Sequence, residues 1–158
     1  MKIVVLKFGG TSVGTIDKIK KVGDIIKTYV RKNYKVVVVS SAMRGVTNDL
    51  VKKSNQISQN FSEEEYDVLV SSGEQVACSL IAGRLINNGI KSRSWLAWQI
   101  PILTTGHHKN SRINLIKKNA ILRYLKNGGV PVIVGFQGIN DKERITTIGR
   151  GGSDATAI

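Results

Sequence analysis

Ile3-Val4-Val5-Leu6-Lys7-Phe8-Gly9-Gly10-Thr11-Ser12 is the stretch on which the fold class turns. An apolar run of one strand's length ends on a lysine and passes directly into a Gly-Gly loop. Thr15 suits a helix N-cap, and Asp17 would place a negative charge in the first turn, beside the unpaired N–H groups. Ile16, Ile19, Val22, Ile26, Tyr29 and Val30 then fall on one helical stripe. Lys35 to Ser41 follows, nearly all valine, as in a strand covered on both faces. Strand, helix, strand is the unit that builds parallel sheets, so the expected class is α/β with a mostly parallel sheet.

The rest of the chain continues the alternation. Thr47 or Asn48 is expected to open a short helix carrying Leu50, Val51 and Ile57. Ser62 and Glu65 fit a capping box for a helix running through Leu69. Ser71-Ser72-Gly73-Glu74 is expected to interrupt it. A longer helix should follow, with Val76, Leu80, Ile81, Leu85 and Ile86 inward and an end near Gly89. Lys91 to Trp98 reads as a strand, and Ile100 to Arg112 as irregular, with Pro101 and Gly106 as breakers. A short strand at Ile113 to Leu115, a helix at Lys118 to Asn127 and a buried strand at Val130 to Phe136 complete the pattern. Asp141 to Arg144 has the polarity of a hairpin tip. No repeat, low-complexity tract or linker divides the 158 residues, which suffice for one domain with its own core.

Composition narrows the function classes. Hydrophobic residues make up 41%, a globular value. The apolar runs Ile3 to Leu6, Val36 to Val39 and Val130 to Val134 are far shorter than a bilayer span. The four apolar residues between Lys2 and Lys7 are too few for a signal peptide. A cytoplasmic protein with no membrane partner is expected. Cys78 is the single cysteine and sits in an apolar helical stretch, so it reads as a small buried hydrophobe. His107 and His108 lack recognisable acidic or thiol partners, and no metal site is expected. The net charge of +13 favours anionic partners. Its lysines and arginines are nevertheless scattered; Lys18, Lys20, Lys21, Lys27, Arg31, Lys32 and Lys35 belong to the first helix and its exit, most of them on its solvated face, and aromatics are not interleaved with the basic residues. No nucleic-acid partner is expected.

The candidate chemistry lies in two glycine loops. The first is not a Walker A motif, and Gly149-Arg150-Gly151 starts like a dinucleotide fingerprint but has Asp154 where the third glycine belongs. What remains at the first loop is Lys7 beside Gly9 and Gly10. Glycines let backbone N–H groups approach phosphate oxygens, and the lysine adds a point charge. The same pair also suits a plain turn. In the second loop, Arg150 can fork onto a carboxylate or phosphate, and Gly151, Gly152 and Ser153 could present N–H donors at a helix start. Asp154 is a helix cap, a catalytic acid, or both. Ser41, Thr47 and Glu74 fall at the ends of expected elements, and ligands of open parallel sheets bind beyond the carboxyl ends of the strands.

Lys7-Phe8-Gly9-Gly10-Thr11-Ser12, Val38-Val39-Ser40-Ser41-Ala42-Met43, Ser72-Gly73-Glu74, Gly135-Phe136-Gln137-Gly138 and Thr147-Ile148-Gly149-Arg150-Gly151-Gly152-Ser153-Asp154, in this order and spacing, resemble the aspartokinases. His108, Asn110, Arg112 and Ile113 also fit the pattern of that family. The resemblance implies the amino-acid-kinase fold, a three-layer αβα sandwich, and ATP-dependent phosphorylation of the side-chain carboxylate of L-aspartate. That product feeds lysine, threonine and methionine synthesis. The implied catalytic residues are Lys7 and Asp154. ATP and its phosphates would meet Lys7, Phe8, Gly9, Gly10, Ser12 and Ser41. The substrate would meet Thr47, Glu74, Arg150, Gly151, Gly152 and Ser153. ATP and Mg2+ are the implied cofactors, and a homo-oligomer is implied for the longer form.

Aspartokinases are considerably longer than this chain. The resemblance therefore makes residues 1–158 the N-terminal, substrate-binding part of a kinase domain, with the nucleotide-binding half and the regulatory domains absent. Weak or no turnover is expected of the 158 residues alone. A kinase for another small acid, such as acetylglutamate or glutamate, is an alternative. So is a non-catalytic truncated fragment that binds a metabolite or a partner chain. Thr47, Glu74 and Arg150 favour aspartate, because a free ammonium needs a carboxylate partner.

Overall fold

The computed structural model describes residues 2–149 and 152–158. Its first strand, β1 (Ile3–Phe8), pairs in parallel with β2 (Lys35–Ser40) through the helix α1 (Ile16–Arg31). Thr15 is the N-cap of α1, its hydroxyl oxygen accepting from the Lys18 N–H at 3.3 Å. After α2 (Val46–Ile57) and the long α3 (Glu63–Asn87) come β3 (Ser92–Trp95), β4 (Ile102–Thr105) and β5 (Arg112–Ile116). The chain finishes with α4 (Asn119–Lys126), β6 (Val130–Val134), β7 (Gln137–Ile139), β8 (Ile145–Thr147) and α5 (Gly152–Ala157).

The core sheet has the order β1-β2-β6-β3 and is parallel throughout. Strand alternation assigns its two faces. Val4, Leu6 and Phe8 share one face with Val36, Val38 and Ser40, and with Val132 and Val134 of β6. The helices α1 and α3 cover that face with Ile19, Val22, Ile26, Ile81 and Leu85. The opposite face carries Lys7, Val39, Ile133 and Trp95, and it receives α4, whose Tyr124 meets Trp95 edge to face at 5.6 Å, and α5. Three layers result. The valine-rich β2 and β6 are buried along nearly their whole length, as their composition predicts. β1, for all its apolar composition, lies at the edge of the described sheet, with Ile3 and Val5 45% and 44% exposed.

A second sheet, β5-β4-β7-β8, is a correction to the single-sheet reading. It is mixed: β4 pairs antiparallel with β5 and parallel with β7, and β7 and β8 form a hairpin. The hairpin tip falls at Asn140 to Arg144, where the polar turn was expected. The two sheets meet at the end of β6. Gly138 is packed there so closely that an added Cβ would collide with Thr104 Cγ2 and come within 3.0 Å of the Ile102 carbonyl oxygen. Gly138→Ala is therefore expected to destabilise the chain by about 1–3 kcal/mol, as overpacking does. Urea denaturation showing no change in midpoint would contradict this packing.

α3 corrects the helix reading. Ser71 to Glu74 does not break it; one helix of 25 residues runs from Glu63 to Asn87. Gly73 is there for proximity, because a Cβ would lie 2.9 Å from Ala42 Cβ and 3.2 Å from Val46 Cγ1. Without the break the inward stripe is Asp67, Val70, Ser71, Glu74, Ala77, Cys78, Ile81 and Leu85, and Val76, Leu80 and Ile86 face outward. Ser62 stands at the N-cap without a side-chain cap bond, and Glu65 reaches Arg144 of the hairpin instead of closing a capping box. α2 begins one residue before Thr47, with Gly45 at its N-cap in the left-handed region at φ 87°.

Candidate functional site

The carboxyl ends of β1, β2 and β6 lie side by side. Ser41 N–H donates to the Phe8 carbonyl at 3.0 Å, and Gly135 N–H to the Ser40 carbonyl at 2.9 Å, so the ladder runs to the strand ends and the loops depart together. Gly10 needs its missing side chain here, since a Cβ would approach the Ala42 carbonyl oxygen to 3.0 Å. The first loop is closed by Ser12 N–H on the Gly9 carbonyl at 2.8 Å and tied to α1 by Lys18 Nζ on the Thr11 carbonyl at 2.9 Å.

Four of the sequence-derived residues meet across 147 positions of chain. Lys7 Nζ lies 2.8 Å from Asp154 Oδ1. The pair is only partly shielded, with the side chains 31% and 64% exposed, so water screens it and it contributes little to stability. Beside it, the Ser41 hydroxyl donates to Ser153 Oγ at 2.9 Å. Gly135 makes room for this contact, because a Cβ there would come within 2.6 Å of Ser153 Cβ. Asp154 sits in the first turn of α5, not at its cap, and Gly152 is the first residue of that helix. Arg150 and Gly151 lie outside the described residues.

Glu74 occupies the other side of the Ser41–Ala42 turn. Its Oε1 accepts from the Ala42 N–H at 3.1 Å. Its Oε2 is buried and has no hydrogen-bond partner among the described residues. Burial pushes the carboxyl up to about 7 from its ordinary 4.5, and the Ala42 N–H only partly offsets that. A buried acceptor without a donor is costly, and a carboxylate in this state is matched by a cation that brings N–H groups to it. Thr47, half-buried in the first turn of α2, belongs to the segment that packs against α3 at Gly73.

Two residues from the phosphate set point elsewhere. Phe8 alternates with Lys7 and packs against the core on the α1 side, so its ring points away from Lys7. Ser12 is exposed on a groove shared with Phe8, Lys18 and Ile25, away from Lys7. Cys78 is one turn beyond Glu74 and fully buried. Desolvation and the Glu74 charge both raise its thiol, which leaves no reactive thiolate.

Other functional candidates escaped the sequence reading. Gln137 is buried; its amide donates to the Ser71 carbonyl at 2.8 Å and its oxygen accepts from Ala97 N–H at 3.4 Å, which fixes α3 against the start of the second sheet. Asp67 is buried and receives donors from His108, Lys109 and Thr147. The only sequence signal for either was position: Gln137 lies inside a quoted motif, and Asp67 falls two helical turns before Glu74 on one stripe. Asn110 and Arg112, which did fit the family pattern, line a cleft with Gly149 and Gly152. Among the described residues no group of three metal-ligating side chains occurs, and no helix is long and apolar enough to cross a membrane.

Residues 2–158 match the model of the amino acid kinase family. The aspartokinase of Rickettsia conorii is 51% identical over 160 residues, covering 99% of this chain and 40% of the relative. The aspartokinase of Geobacillus stearothermophilus is 46% identical over 158 residues, covering all of this chain and 39% of the relative. The chain thus spans about two fifths of the length of these curated relatives. Among solved structures, an aspartate kinase from Synechocystis superposes with a TM-score of 0.81 at 39% identity, over 99% of this chain and 26% of its own. Aspartokinase III of E. coli, in complex with aspartate and ADP, superposes with a TM-score of 0.82 over 98% of this chain and 45% of its own; at 23% identity it bears on the fold alone.

Proposed function

The chain belongs to the amino acid kinase family, and from that premise we propose that its site binds L-aspartate and presents the side-chain carboxylate to ATP, giving 4-phospho-L-aspartate on the way to lysine, threonine and methionine. Residues 1–158 are in this reading the substrate-binding part of the kinase domain. The observation that carries the proposal is Glu74, a buried carboxylate with one oxygen satisfied by Ala42 N–H and the other unpartnered among the described residues. It fits the ammonium of a free amino acid and does not fit an N-acylated one.

The chemistry asks little of the protein in proton transfer. The nucleophile is a carboxylate with an ordinary pKa of about 3.9, already ionised at neutral pH, so no general base is required. Phosphoryl transfer then depends on positioning and on neutralising the charge of the transferring group. Lys7 is placed for that second task at the end of β1, and Asp154 fixes its ammonium. Gly9 and Gly10 bring backbone close to the phosphates, and Ser41 and Ser153 bridge the two loops. In this reading Arg150 is the guanidinium for the substrate's other carboxylate, and Thr47, Gly151 and Gly152 complete the substrate set. Mg2+ would come with ATP as part of the substrate, where it would supply charge neutralisation and call on few protein ligands. The longer form would act in the cytoplasm as a homo-oligomer.

The test is direct titration of the 158-residue chain, followed by NMR shifts or calorimetry, with L-aspartate and with N-acetyl-L-aspartate. Binding of L-aspartate with at least tenfold weaker binding of the acetylated compound is expected, because acetylation removes the charge opposite Glu74. Equal affinities, or no binding of L-aspartate at all, would overturn the proposal.

A further inference from the structure

The carboxylate of Asp67 takes no part in the chemistry above, yet it is fully buried and saturated with donors. Oδ1 accepts from the Thr147 hydroxyl, Oδ2 lies 2.6 Å from His108 Nδ1, and the Lys109 N–H is shared between both oxygens at 3.1 Å. An ionised carboxylate only accepts, so it fixes the proton of His108 on Nδ1. These donors come from two segments that are themselves joined. Ser111 N–H donates to the Thr147 carbonyl at 3.0 Å, and the Ser111 hydroxyl to the His107 carbonyl at 2.8 Å. The Asn110 amide occupies the space where a side chain on Gly149 would stand.

Position gives the cluster its meaning. Thr147 ends β8 two residues before Gly149, and the segment that follows carries Gly152, Ser153 and Asp154. Asp67 precedes Glu74 by seven residues on one uninterrupted helix, which places both carboxylates on the same stripe about 10 Å apart along the axis. One rigid element therefore holds Glu74 at the Ser41–Ala42 turn and, two turns away, the strand that leads to Asp154. A buried ionised group is a poor source of stability compared with a well-packed apolar one, but its directional bonds specify a single arrangement.

We propose that Asp67 is a positioning residue: through Thr147, His108 and Lys109 it fixes β8 and Ile148–Gly149 relative to α3, and α5 follows because Gly152 N–H donates to the Gly149 carbonyl at 2.9 Å and packs on Ile148, which sets the separation between Glu74 and the Lys7–Asp154 pair. The ligand-affinity part of this inference rests on the aspartate reading; the mechanical part does not.

The experiment is residue-resolved hydrogen exchange on the 158-residue chain, wild type and Asp67→Asn, with L-aspartate titration of both. At least tenfold faster exchange is expected at residues 107–111 and at Ile148, Gly152 and Ser153, with β2 and β6 unchanged, together with at least tenfold weaker aspartate binding. Thr147→Val removes one donor and keeps the shape; it should loosen the same two segments by a smaller factor, and it decides the matter if Asp67→Asn does not fold. Unchanged exchange in these segments, or an equal rise across β2 and β6, overturns the proposal. A loosened segment with wild-type aspartate affinity overturns the link to the site. A wild-type chain that binds no aspartate overturns the proposed function, and the exchange data then still decide whether Asp67 holds the segment.

Discussion

Glu74→Gln is expected to weaken L-aspartate binding by about 30- to 100-fold, equivalent to about 2–3 kcal/mol for losing a buried charged hydrogen bond. The same substitution should stabilise the unliganded chain at alkaline pH. In the folded chain Glu74 ionises near 7, against an ordinary 4.5, because it is desolvated. Below about pH 4.5 the group is protonated whether the chain is folded or not, and no cost arises. As pH rises from 4.5 toward 7 the unfolded chain releases this proton and the folded chain keeps it, so stability falls. Above 7 the full penalty is present, about 3 kcal/mol. Glutamine carries no proton to lose, so the variant should gain on the wild type between pH 5 and pH 8. Urea midpoints at those two values check the sign, and parallel curves for the two proteins would contradict it.

The same group makes aspartate binding proton-linked. An arriving ammonium favours ionised Glu74, so below pH 7 binding should expel a proton and the affinity should rise with pH. Calorimetry at pH 6 in buffers of different ionisation enthalpy reads that proton directly. Glu74→Gln should remove the buffer dependence along with most of the affinity.

How much of this was legible in the sequence depends on whether the signal was local. Lys7, Gly9, Gly10, Ser41 and Asp154 lie at strand ends or in glycine loops, where short-range patterns report backbone geometry; that Lys7 meets Asp154 and Ser41 meets Ser153 is visible only in the fold. The parallel sheet was legible for the same reason: β2 and β6 are short and almost uniformly apolar. Gly73 misled because a glycine beside two serines resembles a helix break, whereas its cause is the pressure of Ala42 and Val46 from distant chain. Tertiary contact overrode propensity there. Once that break was assumed, the stripe beyond it was misplaced, which put Val76 and Leu80 inside. Asp67 was silent because an aspartate on a helix ordinarily reads as solvated; only the docking of residues 107–109 and Thr147 makes it a buried acceptor. The second sheet was missed because β7 and β8 have three residues each, too few to show a period.

Lys7→Ala is expected to separate catalysis from binding. In a coupled ADP-release assay, turnover should fall by about 100- to 1000-fold, the loss typical of one preorganised group that stabilises transition-state charge. L-Aspartate affinity should stay within about twofold, because the ammonium of the substrate is held by Glu74 on the far side of the Ser41–Ala42 turn. The assay belongs in the shortest form of the chain that consumes ATP, either the 158 residues or those residues joined to the remaining length of a relative. Folding should survive, since the partner Asp154 is 64% exposed and is left in water rather than stranded in the core. Lys7→Arg should not restore turnover. A planar guanidinium spreads its charge over a rigid fork and does not reproduce the compact ammonium held by Asp154. Retained turnover in Lys7→Ala would remove the lysine from the chemistry. A parallel loss of turnover and aspartate affinity would instead make it part of the substrate pocket, and the division of labour between Lys7 and Glu74 would be wrong.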